Sequence, residues 1–127
     1  MSNCYKAIAR NIAYSPYKLR LLVDTIRDKN VEYALRLLSM YNNQRSVPIK
    51  KVLESALANA RYKNCNDDAA KIFILEIKVD QGTIRRYFKP GAQGRAVFQR
   101  RRYCHISVII GNKKNKINDN KRVNCGK

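Results

Sequence analysis

The residues of this chain best suited to chemistry are cations that could bind phosphate groups. Residues 83–102 contain seven Lys or Arg and no acid, and six of the seven are Arg. A guanidinium group binds a phosphate bidentately and stacks on bases, so this composition favours RNA over a generic anion. Tyr87, Phe88, Phe98 and Tyr103 stand among these cations and could stack on bases or on one another. The segment therefore predicts a nucleic-acid-binding element.

The remaining reactive residues do not favour a metal site or a catalytic site. The four cysteines stand at positions 4, 65, 104 and 125, so no CxxC unit exists, and the only histidine is His105. Zinc sites use closer ligand spacings, and we expect no metal. Asp67 and Asp68 fit a polar turn after a helix better than a metal site. His105 fits a strand residue that is hydrogen-bonded or touches RNA better than a catalytic base. Without a GxGxxG loop or a second histidine, we expect no enzyme activity, cofactor or small-molecule substrate.

The charge balance predicts a polyanionic partner. The chain of 127 residues suits one domain and has a formal net charge of +18. Residues 1–82 carry 14 Lys or Arg and 8 acids, a net of +6, whereas residues 83–127 carry 13 and 1, a net of +12. Such a charge favours nucleic acid or an anionic membrane surface. No apolar run approaches the ~20 residues that span a bilayer, and the first residues lack the apolar core of a signal peptide. We expect a reducing compartment with free thiols and no membrane partner.

Hydrophobic periodicity predicts three helices and three strands that position these cations. The first helix begins with Ser15 as cap and Pro16 at its first position, and it ends near residues 28–30. A second helix covers residues 31–41, and a third begins near Ser46. Alternation predicts strands over 4–14, 71–80 and 104–111. Alternation places Phe73, Leu75, Ile77 and Val79 on one face of the second strand, and it places Cys104, Ile106, Val108 and Ile110 in phase on the third.

The segment between the last two strands has the features of a long β-hairpin. Pro90, Gly91 and Gly94 cluster where a turn would lie. Arms of about eight residues would project roughly 25–30 Å. A two-stranded ribbon is marginal in water, and this one carries repelling cations, so a polyanion is expected to hold it. The alternative is a solvated basic surface loop.

Four motifs resemble one protein family, the bacterial-type large-subunit ribosomal protein L-twenty-two. They are "SPYKLRLLVDTIRDK", "KKVLESALANA", "VDQGTIRRYFKPGAQGRA" and "RRYCHISVIIG", and the resemblance covers roughly residues 5–111. It implies an α+β fold, with three helices packed on a small antiparallel sheet and a long protruding hairpin at about 81–103. It implies one rRNA-binding domain over 1–111, and the basic tail 112–127 is expected to be disordered off the ribosome. The chain departs from the family at Asp28, where Gly is usual, and at Gln81–Thr83, where an acid, Gly and Pro are usual.

The resemblance also implies a function without covalent chemistry. The protein would be a structural constituent of the large ribosomal subunit that binds large-subunit rRNA, supports assembly and lines the nascent-peptide exit tunnel with its hairpin. Its partners would be large-subunit rRNA, neighbouring large-subunit proteins and the nascent polypeptide, in bacterial cytoplasm or an organelle. The expected tunnel-facing tip is Lys89, Pro90, Gly91, Ala92, Gln93, Gly94 and Arg95. The expected rRNA contacts are Arg10, Ser15, Lys18, Arg20, Arg27, Lys29, Lys50, Lys51, Asn59, Arg85, Arg86, Lys89, Arg95, Arg100, Arg101, Arg102 and His105.

Three other function classes make different demands on the sequence. An enzyme that modifies or cleaves RNA would need a nucleophile, an acid–base pair or a cofactor loop. A cationic membrane-active protein would concentrate its cations on one face of an amphipathic helix, whereas here they concentrate in a strand-and-turn segment. A DNA-binding module would need a recognition helix with base-reading side chains, and the third helix is Ala-rich and mostly apolar.

Overall fold

The computed structural model describes residues 4–41, 43–63 and 72–112, and within these residues three helices pack against one three-stranded sheet. The sheet is antiparallel in the order β1-β3-β2, which confirms the predicted α+β class. From residue 113 onward the predicted tail lies outside the described residues, as do Cys65, Asp67, Asp68 and Cys125. In chain order the elements are β1 (Cys4–Ile12), α1 (Pro16–Ile26), α2 (Val31–Met40), α3 (Ser46–Lys63), β2 (Ile72–Pro90) and β3 (Ala96–Asn112).

The helices begin where the sequence predicts, but the first one ends early and is capped differently. Ser15 precedes α1 in an extended conformation, and its side chain makes no cap hydrogen bond. Pro16 occupies the first turn, where its missing N–H costs nothing. After Ile26, Arg27 leaves the helical region (ψ 138°) and Asp28 takes a left-handed conformation (φ 62°), which ends α1 before residues 28–30. Glycine adopts a positive φ without steric cost, so the Gly that the resemblance leads us to expect here would suit this position.

The residues that share a face of β2 differ from the predicted set because the strand contains a bulge. Ile74 pairs with Ile110 and Glu76 with Ile109, so Leu75 is an extra residue in the ladder. One extra residue moves the following side chains to the other face. The prediction that Phe73 and Leu75 share one face with Ile77 and Val79 is therefore wrong: the first two are only half-buried, whereas the last two are buried. The buried residues of β2 are Ile72, Ile74, Ile77 and Val79.

The core lies between the three helices and one face of the sheet. The predicted stripe of β3 is confirmed, since Cys104, Ile106, Val108 and Ile110 are fully buried. On β1, Ala7 faces the core, whereas the side chains of alternate residues are exposed. The helices contribute Leu19, Val23, Ile26, Val31, Ala34, Leu38, Ile49, Leu53, Ala56 and Ala60. Small residues on α3 let this helix pack closely on β1.

Candidate nucleic-acid interface

Beyond the body of the sheet, β2 and β3 continue as a two-stranded extension that we call the ribbon. Its paired positions run from Ile84↔Arg102 to Pro90↔Ala96. Every residue from 83 to 102 is exposed. At about 3.4 Å per residue, the ladder is about 20 Å long. The ribbon therefore presents both of its faces outside the hydrophobic core.

Bulges in β1 and β2 meet at the base of the ribbon. Gln81 pairs with Cys104 and Ile84 with Arg102, so two residues of β2 stand opposite Tyr103 alone. A Cβ on Gly82 would lie 3.1 Å from the backbone carbon and oxygen of Tyr103 and 3.2 Å from Cε1 of His105. Glycine at position 82 allows this close approach without a shift of the neighbouring atoms.

His105 joins the base of the ribbon to β1. Its Nδ1 accepts a hydrogen bond of 3.0 Å from the backbone N–H of Asn11, a left-handed residue (φ 56°) at the bulge of β1. An accepting Nδ1 assigns the imidazole proton to Nε2. The structure therefore gives this predicted RNA contact a hydrogen bond that links β1 to β3.

Arginines stand directly opposite one another across the ribbon. Arg85 pairs with Arg101, and Arg86 pairs with Arg100. Like charges in directly opposed positions destabilise a sheet, by roughly 0.2–1 kcal/mol per pair. Within the described part of the chain, none of the ribbon's cations forms an ion pair. The ribbon thus concentrates uncompensated positive charge on exposed strands.

The tip of the ribbon is a tight turn that its own backbone closes. The N–H of Gly91 donates to the Arg95 carbonyl at 2.6 Å, and the N–H of Arg95 donates to the Ala92 carbonyl at 3.3 Å. Gln93 and Gly94 both have positive φ, 57° and 73°. All residues of the expected tip, from Lys89 to Arg95, are exposed.

On the body, the structure brings two of the predicted contacts together with a cation that sequence reasoning missed. Ser15 and Lys18 line a hollow of about 500 Å³ whose lining also includes Arg45. The hydroxyl of Tyr14 donates to the Gln44 carbonyl at 3.3 Å and joins the two lining segments. Arg45 lies in a loop that the sequence marks only as a break between helices. No local signal could have joined it to residues 15–18, because the contact depends on packing.

Several other predicted contacts already have partners within the chain. Nε and Nη2 of Arg20 both donate to the Val79 carbonyl, at 3.2 and 3.0 Å. The Asn59 amide donates to the Lys6 carbonyl at 3.2 Å. Arg27 forms an ion pair with Asp24 (3.1 Å), and the Lys29 amine lies 5.6 Å from the centre of the Tyr33 ring. Arg10, Lys18 and Lys51 are exposed, and Lys50 is half-buried.

Nearby carboxylates distinguish Arg20 and Arg27 from the cations of the ribbon. Arg20 and Arg27 line a hollow of about 520 Å³ between α1 and β2, which also contains Asp24, Asp28, Glu76 and Asp80. There the hydrogen bond and negative charge of Glu76 raise the pKa of Lys78. This hollow balances its cations with carboxylates, whereas the ribbon has none. Phosphate binding is therefore better supported on the ribbon than at Arg20 and Arg27.

Neither a metal-binding cluster nor a membrane-spanning helix is found among the described residues. No group of three His, Cys, Asp or Glu in this part of the chain could hold a metal ion. The Cys104 thiol is buried, donates to the Ile12 carbonyl, and has a pKa that burial raises. Among the described helices, none combines the length and apolar character needed to cross a bilayer.

Comparison with known proteins identifies relatives over most of the chain. The model of the family described as ribosomal protein L22p/L17e matches residues 7–111. The large ribosomal subunit protein uL22c of Chlorokybus atmophyticus is 44% identical over 105 residues, which cover 83% of this chain and 87% of the relative. The uL22 protein of Desulfitobacterium hafniense strain Y51 is 44% identical over 109 residues, covering 86% and 95%. That of Hydrogenobaculum sp. is 42% identical over 106 residues, covering 84% and 86%.

These matches confirm the resemblance seen in the four sequence motifs. The family consists of structural ribosomal proteins, so the expectation that the chain is not an enzyme is confirmed by family membership. The relatives come from bacteria and a chloroplast, which confirms the expected ribosomal location, bacterial or organellar. Because the family model covers most of the chain and the relatives align over nearly their whole lengths, this protein belongs to the ribosomal protein L22p/L17e family.

Proposed function

We propose that this structural protein of the large ribosomal subunit binds large-subunit rRNA, mainly through the ribbon and the basic hollow beside Lys18 and Arg45. The contacts expected from the sequence extend over both regions. Binding would support assembly of the subunit beside neighbouring ribosomal proteins. The ribbon tip, Lys89 to Arg95, would line the nascent-peptide exit tunnel and contact the nascent polypeptide.

The proposal rests on one observation: in an exposed ribbon without acids, Arg85 lies directly opposite Arg101, and Arg86 lies directly opposite Arg100. Their mutual repulsion opposes the pairing of the strands when the protein is alone. Phosphates placed along both strands would turn the same charges into attractive contacts. A ribbon of this composition is therefore suited to a polyanionic groove.

The salt dependence of binding tests the rRNA proposal. Binding to a transcript of large-subunit rRNA is measured over a range of salt concentrations. Each phosphate contact contributes about 0.7–0.9 to the slope of log K against log salt. Replacing Arg85, Arg86, Arg100, Arg101 and Arg102 by Ala should therefore lower the slope by about 3.5–4.5 if each touches a phosphate.

A matched control removes cations that the structure already pairs with acids. Arg36 pairs with Glu32, and Lys78 pairs with Glu76. Replacing Arg36 and Lys78 by Ala should leave the slope nearly unchanged. A wild-type slope in the variant that lacks five arginines would contradict the proposal.

Photocrosslinking tests the tunnel assignment. A benzophenone amino acid at Gln93, an exposed tip residue, is introduced into ribosomes that hold a stalled nascent chain. We expect a crosslink to the nascent chain from this position and none from the same probe at Tyr62 on α3. Crosslinks from Gln93 to rRNA alone would contradict the tunnel assignment and leave the rRNA proposal intact.

A further inference from the structure

Two exposed phenylalanines form a pair in the outer half of the ribbon, next to its tip. Phe88 and Phe98 stand directly opposite each other, with ring centroids 4.3 Å apart and planes tilted by 46°. They are 63% and 66% exposed. Phenylalanine has no polar group that benefits from water, so an exposed pair of this kind marks a contact surface rather than a solvated loop.

The other aromatic residues of the region are engaged within the chain. The hydroxyl of Tyr87 donates to the side chain of Gln99 at 3.4 Å. The guanidinium of Arg85 lies 5.5 Å from the centre of the Tyr103 ring. Phe88 and Phe98 therefore present the ring surfaces of the ribbon best placed to receive an additional planar group.

Cations flank this pair on the same face of the ribbon. Side chains two residues apart on a strand share a face, so Arg86 lies on the face of Phe88, and Arg100 lies on that of Phe98. The spacing along each strand is about 7 Å. An apolar protein surface that covered the rings would also desolvate two arginines, which is costly without paired acids. A nucleotide offers a planar base to the rings and a phosphate to the arginines.

We propose that the Phe88–Phe98 pair is a stacking platform for an unstacked base of large-subunit rRNA, whose neighbouring phosphates are bound by Arg86 and Arg100. The inference rests on the proposed rRNA binding and adds a contact that charge alone does not provide. Aromatic stacking accepts any base and depends little on salt, whereas the arginine contacts depend strongly on salt. The two contributions can therefore be measured separately.

A fluorescent reporter provides the direct test. The chain contains no Trp, so Phe98→Trp introduces a single indole into the platform. We expect its emission to be quenched when the full-length protein binds a transcript of the complete large-subunit rRNA. Tyr62→Trp is the control, because Tyr62 is 89% exposed in the last turn of α3, remote from the ribbon. Equal quenching in both variants, or none in Phe98→Trp, overturns the inference.

Affinity measurements separate this inference from the proposed function. Phe88→Leu with Phe98→Leu should weaken binding about tenfold at every salt concentration without changing the salt slope. Arg86→Ala with Arg100→Ala should lower the slope by roughly 1–2. If the variant with both phenylalanines replaced binds like wild type, while the variant with both arginines replaced shows a lower salt slope, the stacking proposal is wrong and the rRNA-binding proposal stands. If wild-type protein itself shows no salt-dependent binding, the proposed function fails.

Two controls keep the result unambiguous. Both phenylalanines lie outside the core, so the variants should keep cooperative unfolding and helical circular dichroism. A blue shift of the indole emission in Phe98→Trp that requires another ribosomal protein rather than rRNA would assign the pair to a protein contact and overturn the inference.

Discussion

Replacing Gly82 by Ala should destabilise the free protein through a steric clash at the base of the ribbon. The added Cβ would lie 3.1 Å from two backbone atoms of Tyr103 and 3.2 Å from Cε1 of His105. Non-bonded carbons attract each other at roughly 3.5–4.0 Å, and a backbone cannot rotate away as a side chain can. Overpacking of this kind costs about 1–3 kcal/mol.

Chemical denaturation followed by circular dichroism measures this cost. We expect a lower midpoint with an unchanged m-value, together with a melting temperature lower by roughly 4 °C for each kcal/mol. When His105 is also replaced by Ala, Gly82→Ala should lower the free energy of unfolding by only slightly less, because the contacts with the Tyr103 backbone remain. This double-mutant comparison separates the contribution of the imidazole contact from that of the backbone contacts.

Gly94→Ala is the contrasting control. A Cβ at Gly94 would meet nothing within 4 Å, but its φ of 73° disfavours a side chain by about 1–2 kcal/mol. That strain displaces no neighbouring atom, and the exposed tip can relax by local opening, so the loss of stability should be smaller than for Gly82→Ala. A Gly82→Ala protein with the wild-type midpoint would refute the argument that the bulge requires glycine.

Two further predictions concern groups that the fold engages. Arg20→Ala removes both hydrogen bonds to the Val79 carbonyl, so we expect a loss of about 1 kcal/mol in denaturation with no change in the salt slope of rRNA binding. A changed slope with unaltered stability would instead identify Arg20 as a phosphate contact. Burial raises the pKa of Cys104 above its ordinary value of 9.0, so the unfolded state releases this proton more readily, and stability falls as the pH rises above about 9. The decline should be shallower in Cys104→Ala, and equal slopes in denaturation series above pH 9 would contradict the linkage.

The helices and the final strand could be predicted from the sequence because their signals are local. Leu19, Val23 and Ile26 recur at helical spacing and are buried on one stripe. Cys104 and Ile106 alternate without interruption and are buried on one face. The density of arginines between residues 83 and 102 likewise follows from composition. Periodicity and charge do not depend on which distant segment a residue meets.

The pairing register, by contrast, was decided only by the tertiary structure. The bulge at Leu75 reverses the face of β2, and the bulge at Gly82 sets which ribbon residues are opposed. Both bulges are defined by how β2 pairs with β3, which lies far along the chain. They therefore cannot be predicted from neighbouring residues in the sequence. The pairing of Arg86 with Arg100 and the ring contact between Phe88 and Phe98 follow from that register.

The tertiary structure also decided which of the predicted rRNA contacts already have partners within the chain. From its sequence, Arg20 is one more exposed cation of a basic protein, but packing of α1 beside β2 turns it into a backbone tether. Arg45 stands in a loop without a pattern, yet folding places it in the lining of the same hollow as Lys18. Residue type determined that this protein carries the charge needed to bind a polyanion. Only long-range packing decided which of its cations remain available, because hydrogen-bond partners and carboxylates reach them from segments distant in the chain.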